Sequence, residues 1–179
     1  PRFIQAVDDE QNARDLSAAA REAGVTADVV VDVAVGTRSG IPPGDGAVAL
    51  AKLVDTLPNL TLRGLLSYDG GAQHITGFAA RKERALKGLE ENVATRERMN
   101  RDGLSTEIFS GGGTGTYSVQ HLTPGFTDVQ VAVTARSGAG WDGHRDGAPS
   151  RRAVVDEAGP RGDRCEEGPG DAVAACGGL

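Results

Sequence analysis

Cysteine is nearly absent from this chain. Only Cys165 and Cys176 occur among 179 residues, both near the end and without metal-type spacing. That excludes a disulfide framework and makes a cytoplasmic setting the default expectation. Long apolar runs are missing too: nothing approaches the ~18 residues needed to span a bilayer, and no basic start with an apolar core marks a signal peptide. Basic surplus is also lacking. The net charge is -6 and no basic patch stands out, which argues against a nucleic-acid or anionic-membrane partner. Aromatics make up only 4% of residues.

What the chain does have is apolar strands alternating with helical stretches. The run 2–8 ("RFIQAVD") reads as a short buried strand. Residues 9–24 place Ala13, Leu16, Ala19, Ala20 and Ala23 at helical spacing, after an acidic start and before Gly24. The β-branched run 27–35 ("ADVVVDVAV") fits a strand covered on both faces. A helix over 46–57 ends before Pro58, and 60–68 ("LTLRGLLSY") is the next strand. One long amphipathic helix is expected over 75–100, with Arg and Glu on its wet face; strands follow at 105–112 and 126–133. The order β-α-β-α-β-α-β-β, with helices of crossover length, points to a parallel sheet of βαβ units. The fold class read from it is α/β, part of a parallel (β/α)₈ TIM-type barrel, with a doubly wound open sheet as the alternative. Five strands are too few to close such a barrel. The domain expected covers 1–131. From 132 to 179 the chain is dominated by Gly, Ala, Arg, Asp and Pro without sustained period, and an irregular tail is expected.

Glycine is plentiful and clustered, most tightly in "IFSGGGTGTYSV" (108–119). A strand that ends in three glycines needs a reason: a plain turn, or a cradle of backbone N–H groups for a phosphate with Thr114 and Thr116 adding hydroxyls. The run is neither a P-loop nor a dinucleotide fingerprint, because the Lys-Ser/Thr pair and the acidic partner are missing. Arg38 stands between glycines at the end of another strand, where it either pairs an anion or is simply solvated. Tyr68 ends a third strand, with Gln73 and His74 shortly after. His121 and His144 carry no usable signal. Three strand ends in succession that each set a polar residue beside glycine suggest one site assembled from successive loops.

These segments also have a familiar form. "VDVAVGTRSGIPPG", "LRGLLSYDGGAQH" and "SGGGTGTY", in this order, resemble the D-threonine aldolase family over residues 1 to 131. This metal-activated group of fold-type III pyridoxal phosphate enzymes includes D-3-hydroxyaspartate aldolase and D-serine dehydratase. The resemblance implies an alanine-racemase-like barrel and a pyridoxal 5'-phosphate cofactor, with a small β-hydroxy-D-amino acid as substrate; an oligomer is compatible with it. It implies that Gly111, Gly112, Gly113, Thr114, Gly115 and Thr116 hold the cofactor phosphate. Arg38 and Tyr68 would line the pyridine ring, and Gln73 and His74 the substrate side. It further implies a fragment, inactive by itself: the family's cofactor-bearing lysine and the ligands of its divalent metal (manganese or similar) fall outside this chain. No catalytic residue and no metal ligand is therefore assigned here. Where the family continues with Gly-Ser-Tyr after "TDVQ", this chain reads Val131-Ala132-Val133-Thr134, as a one-base deletion would produce. That frameshift is a hypothesis; a coding sequence whose other frames are unrelated to the family would remove it.

Overall fold

The computed structural model describes residues 3–36 and 39–131. Along them run β1 (Ile4–Val7), α1 (Glu10–Glu22), β2 (Ala27–Asp32), α2 (Asp45–Thr56) and β3 (Leu60–Tyr68). A 3-10 turn (Ala72–His74), α3 (Phe78–Lys87), α4 (Glu90–Arg101), β4 (Ile108–Gly112), a second 3-10 turn (Gln120–Leu122) and β5 (Asp128–Val129) follow.

Local chemistry accounts for the best-defined elements. Asp9 caps α1 by accepting the Asn12 N–H at 3.0 Å, Glu10 occupies the first turn, and Gly24 leaves the helix at φ 67°. Its buried residues Ala13, Ser17 and Ala20 recur at helical spacing, and Ser17 Oγ donates to the Pro58 carbonyl at 2.6 Å. That bond ties α1 to the turn before β3.

All five strands are parallel and lie in the order β1-β2-β3-β4-β5. A doubly wound sheet reverses direction at a switch point; here every crossover steps the same way. Crossovers of one hand then leave the helices on one face. The core agrees: Val29, Val31 and Val33, Leu62 and Leu65, and Phe109 pack with Ala47, Leu50, Ala51 and Val54 of α2 and Met99 of α4. This is the arrangement of consecutive units of a partial (β/α) barrel of the TIM type.

Two expectations need correction. The helix over 75–100 is two helices, α3 and α4, parted at Gly88 and Leu89. The Leu89 N–H turns to the Leu86 carbonyl at 3.2 Å, while Leu89 itself is buried and its carbonyl starts α4 by accepting from Val93 at 2.8 Å. The supposed wet face is not wholly wet either, because Arg81 is buried and donates to the Ile75 carbonyl at 3.0 Å. The late strands are also shorter than expected, and β5 keeps only two residues. The tail from 132 to 179 lies outside the described residues, among which no helix is long and apolar enough to cross a membrane.

Candidate functional site

A parallel sheet gathers the carboxyl ends of its strands along one rim, where the backbone leaves the ladder and loops carry the chemistry. A cavity of about 690 Å³ opens there. Its walls are Val35 and Gly36 after β2, Tyr68 through Gly71 at the end of β3, Gln73 and His74 on the first 3-10 turn, and Arg84 of α3.

The loop after β3 is held by Asp69. This carboxylate is 2% exposed; Oδ1 accepts the N–H groups of Gly71 and Ala72, each at 3.1 Å, and Oδ2 faces Arg84 Nη1 at 3.4 Å. An aspartate bonding the backbone two and three residues on is a turn device, and here it presents Gln73 and His74 to the cavity. Gln73 Nε2 and His74 Nε2 lie 3.5 Å apart. The loop after β2 is held from behind. Asn92 of α4, fully buried, donates through Nδ2 to the carbonyls of Val33 (3.1 Å) and Ala34 (3.2 Å) and to Ser67 Oγ (2.9 Å). One amide therefore joins the ends of β2 and β3.

The glycine run packs against this loop. Gly112 pairs with Tyr68 across the ladder, and the Asp69 N–H donates to the Gly112 carbonyl at 2.9 Å. A Cβ on Gly111 would fall 2.0 Å from the Ser67 carbonyl oxygen, and one on Gly115 2.5 Å from Gln73 Cα. Both obstacles are backbone or rooted in it, so neither can step aside. The Tyr68 ring lodges between two further glycines: added Cβ atoms would meet its Cε1 at 2.9 Å from Gly70 and its Cε2 at 3.7 Å from Gly113. Thr116 is fully buried and works inside the run, its Oγ1 accepting the Gly113 N–H at 3.0 Å and donating to the Gly113 carbonyl at 3.2 Å. Thr114 and Gly115 keep partial exposure. Close packing of chain on chain is thus one reason for the glycines.

Tyr68, Gln73 and His74 share the cavity; no residue of the run Gly111 to Thr116 lines it, although Gly111, Gly113 and Gly115 pack against Ser67, Asp69 and Gln73 of the neighbouring loop. Arg38 lies outside the described residues. Three residues that sequence reasoning passed over belong to the site: Asp69, Arg84 and Asn92. The Asp-Gly pair after Tyr68 was the available signal for the first. Nothing in the helical pattern marked the other two. Among the described residues no cluster of His, Cys, Asp or Glu could hold a metal ion. The lysines Lys52, Lys82 and Lys87 sit on helices and none lines the cavity.

The family model for alanine racemase, N-terminal domain, matches residues 1–131. The chain belongs to that family. This racemase-type domain is 33% identical over 130 residues to 3-hydroxy-D-aspartate aldolase of Paracoccus denitrificans (strain Pd 1222), covering 72% of this chain and 34% of the relative. It is 29% identical to D-threonine aldolase of an Arthrobacter species, with the same coverage. The crystal structure of D-threonine aldolase from Filomicrobium marinum superposes with a TM-score of 0.69 at 37% identity, over 73% of this chain and 36% of that one. Alanine racemase of Clostridium difficile 630, at 18% identity and a TM-score of 0.62, shares the fold over 73% of this chain and 34% of its own. The racemase-type domain thus spans about a third of the length of the curated relatives it matches.

Proposed function

We propose that this domain is part of a pyridoxal phosphate-dependent carbon–carbon lyase that cleaves β-hydroxy-D-amino acids, D-threonine to glycine and acetaldehyde in the leading reading. The observation that carries the proposal is the strand-end cavity shared by Tyr68, Gln73 and His74, on a loop against which Gly111, Gly113 and Gly115 pack. Its likeness to D-threonine aldolase in sequence and fold supports it. The 33% identity to a 3-hydroxy-D-aspartate aldolase supports an acidic β-hydroxy-D-amino acid as the second reading. D-serine dehydratase chemistry in the parent protein is a third.

The residues present fit the cofactor. The cavity falls within the roughly 300–1,000 Å³ usual for small-molecule sites, and the Tyr68 ring, the Gln73 amide, the His74 imidazole and the Asp69–Arg84 ion pair line it. When bound, pyridoxal phosphate supplies an electron sink for the charge left on Cα as the Cα–Cβ bond breaks. In this reading Tyr68, seated between Gly70 and Gly113, packs against the ring. The exposed flank of the run at Thr114 and Gly115 receives the phosphate, with Arg38 beside the ring. Gln73 and His74 face the substrate hydroxyl, where the imidazole can hold or pass on its proton. The divalent metal belongs to the parent protein.

Taken alone, this chain is expected to bind the cofactor without turnover. Titrating it with pyridoxal phosphate should give a saturable change in cofactor absorbance that Tyr68→Ala weakens severalfold. An assay with manganese and D-threonine should give no acetaldehyde above a cofactor-only blank. The intact parent should give acetaldehyde from D-threonine; racemisation without cleavage would sink the lyase reading.

A further inference from the structure

One cation faces the cavity without being consumed. Arg84 is partly exposed, and among the described residues its hydrogen bonding is limited to Nη1 and Asp69 Oδ2 at 3.4 Å. Among the described residues Nε and Nη2 have no hydrogen-bond acceptor. Asp69 is immobilised by the Gly71 and Ala72 N–H groups, so it fixes one edge of the guanidinium. The other edge turns towards Gly36, where an added Cβ would lie 3.9 Å from Nη2. Room for this pose comes from Gly88. Its φ of -65° is ordinary for any residue, yet a Cβ there would sit 2.0 Å from Arg84 Nη1. The side chain is therefore folded back along its own helix and held against Asp69.

We propose that Arg84 anchors a carboxylate of the small molecule bound in this cavity, with Asp69 as the positioning residue that orients the guanidinium. A planar fork with donors to spare matches a carboxylate through paired N–H bonds. Charge balance favours that ligand over phosphate. Asp69 behind the fork leaves the pair near neutrality, which suits a singly charged group better than a doubly charged one. Tyr68, Gln73 and His74 then supply polar contacts to the rest of the molecule. The inference rests on the lyase reading for one point, that the carboxylate belongs to an amino acid.

The test uses the nitrogen-15-labelled 179-residue chain without cofactor, titrated with succinate and with inorganic phosphate. The Arg84 Nε–H and the Gly36 and His74 amide signals are followed by NMR. Succinate should give saturable shifts, at least tenfold weaker in Arg84→Gln and clearly weaker in Arg84→Lys, which keeps the charge but loses the fork. Gly88→Ala should also weaken succinate while leaving the far-ultraviolet circular dichroism intact, because it displaces the guanidinium and touches no charge. Absence of shifts, succinate binding that survives Arg84→Gln, or phosphate binding tighter than succinate would overturn the proposal. Succinate binding retained by a chain that ignores pyridoxal phosphate would sink the lyase reading and leave the carboxylate site standing.

Discussion

At Asp69, one carboxylate oxygen serves two backbone N–H groups while the other meets Arg84, and the whole side chain is buried. Truncation would leave the buried Ala72 N–H without this acceptor, at about 1–3 kcal/mol for a buried unpaired group, while the exposed Gly71 N–H can turn to water. Asp69→Ala should therefore lower stability in urea by about 2 kcal/mol, and Asp69→Asn by less, since its carbonyl can still take both N–H groups. An unchanged midpoint for Asp69→Ala would contradict this account of the loop. Asn92 poses the same question from behind. Asn92→Ala strips one donor group from Val33, Ala34 and Ser67, so exchange of the Ala34 and Ile41 amide protons, paired across this loop, should accelerate. Sequence reading reached Tyr68, Gln73 and His74 because each follows a buried apolar run beside glycine. Asp69 was hidden because Asp-Gly reads as a turn whatever else it does. Arg84 was hidden because a helix pattern tells which residues are apolar, and says nothing of a cation that folds back to its own C-terminal glycine.

Elements were more legible than their ends. Caps and breakers marked α1 and α2, and β3 matches its expected bounds of 60–68 because Asn59 and the Asp-Gly turn bracket it. The break at Gly88 was illegible for a physical reason: Arg81, Ala85, Leu89, Asn92 and Met99 stay buried at helical spacing through it. Charge also ties helix to helix. Lys52 Nζ lies 2.7 Å from Asp102 Oδ2, and Arg98 pairs with Asp45, so α4 is clasped to α2 on the surface. The hydrogen bond from Lys52, then the Lys52 charge itself, holds the Asp102 carboxyl below its ordinary 3.8, with Arg98 and Arg101 adding to the effect. A lowered folded-state value means the contribution is present above the ordinary value and lost as pH falls through the lowered one. Asp102 is solvent-exposed, so the effect is small and screened by salt. Thermal unfolding of the chain and of Asp102→Asn should converge as the pH drops below 3.8, and also in concentrated salt at neutral pH. A stability gap that persists in acid would assign the pair no role.

On the scale of the whole molecule, the sheet has β1 and β5 at its margins, each paired on one side among the described residues. Unpaired strand margins recruit other chains, and a two-residue β5 offers little to blunt that tendency. Sedimentation of the chain should show mass rising with concentration; a constant monomer mass across dilution would mean the margins are already covered. The barrel class was readable because the helices are long enough only for parallel crossovers, and the sequential strand order then decided between barrel and doubly wound sheet.

The fit between the glycine run and the loop after β3 has a consequence for anyone recombining such domains. Gly111 and Gly115 are moulded to Ser67 and Gln73, and the Tyr68 ring fills the slot between Gly70 and Gly113. Each segment is the cast of the other. A loop transplanted from a relative would arrive without its counterpart, and a single ill-placed methyl would wedge the rim open. Exchange between relatives should therefore succeed when 67–74 and 111–116 travel together, and fail when either crosses alone.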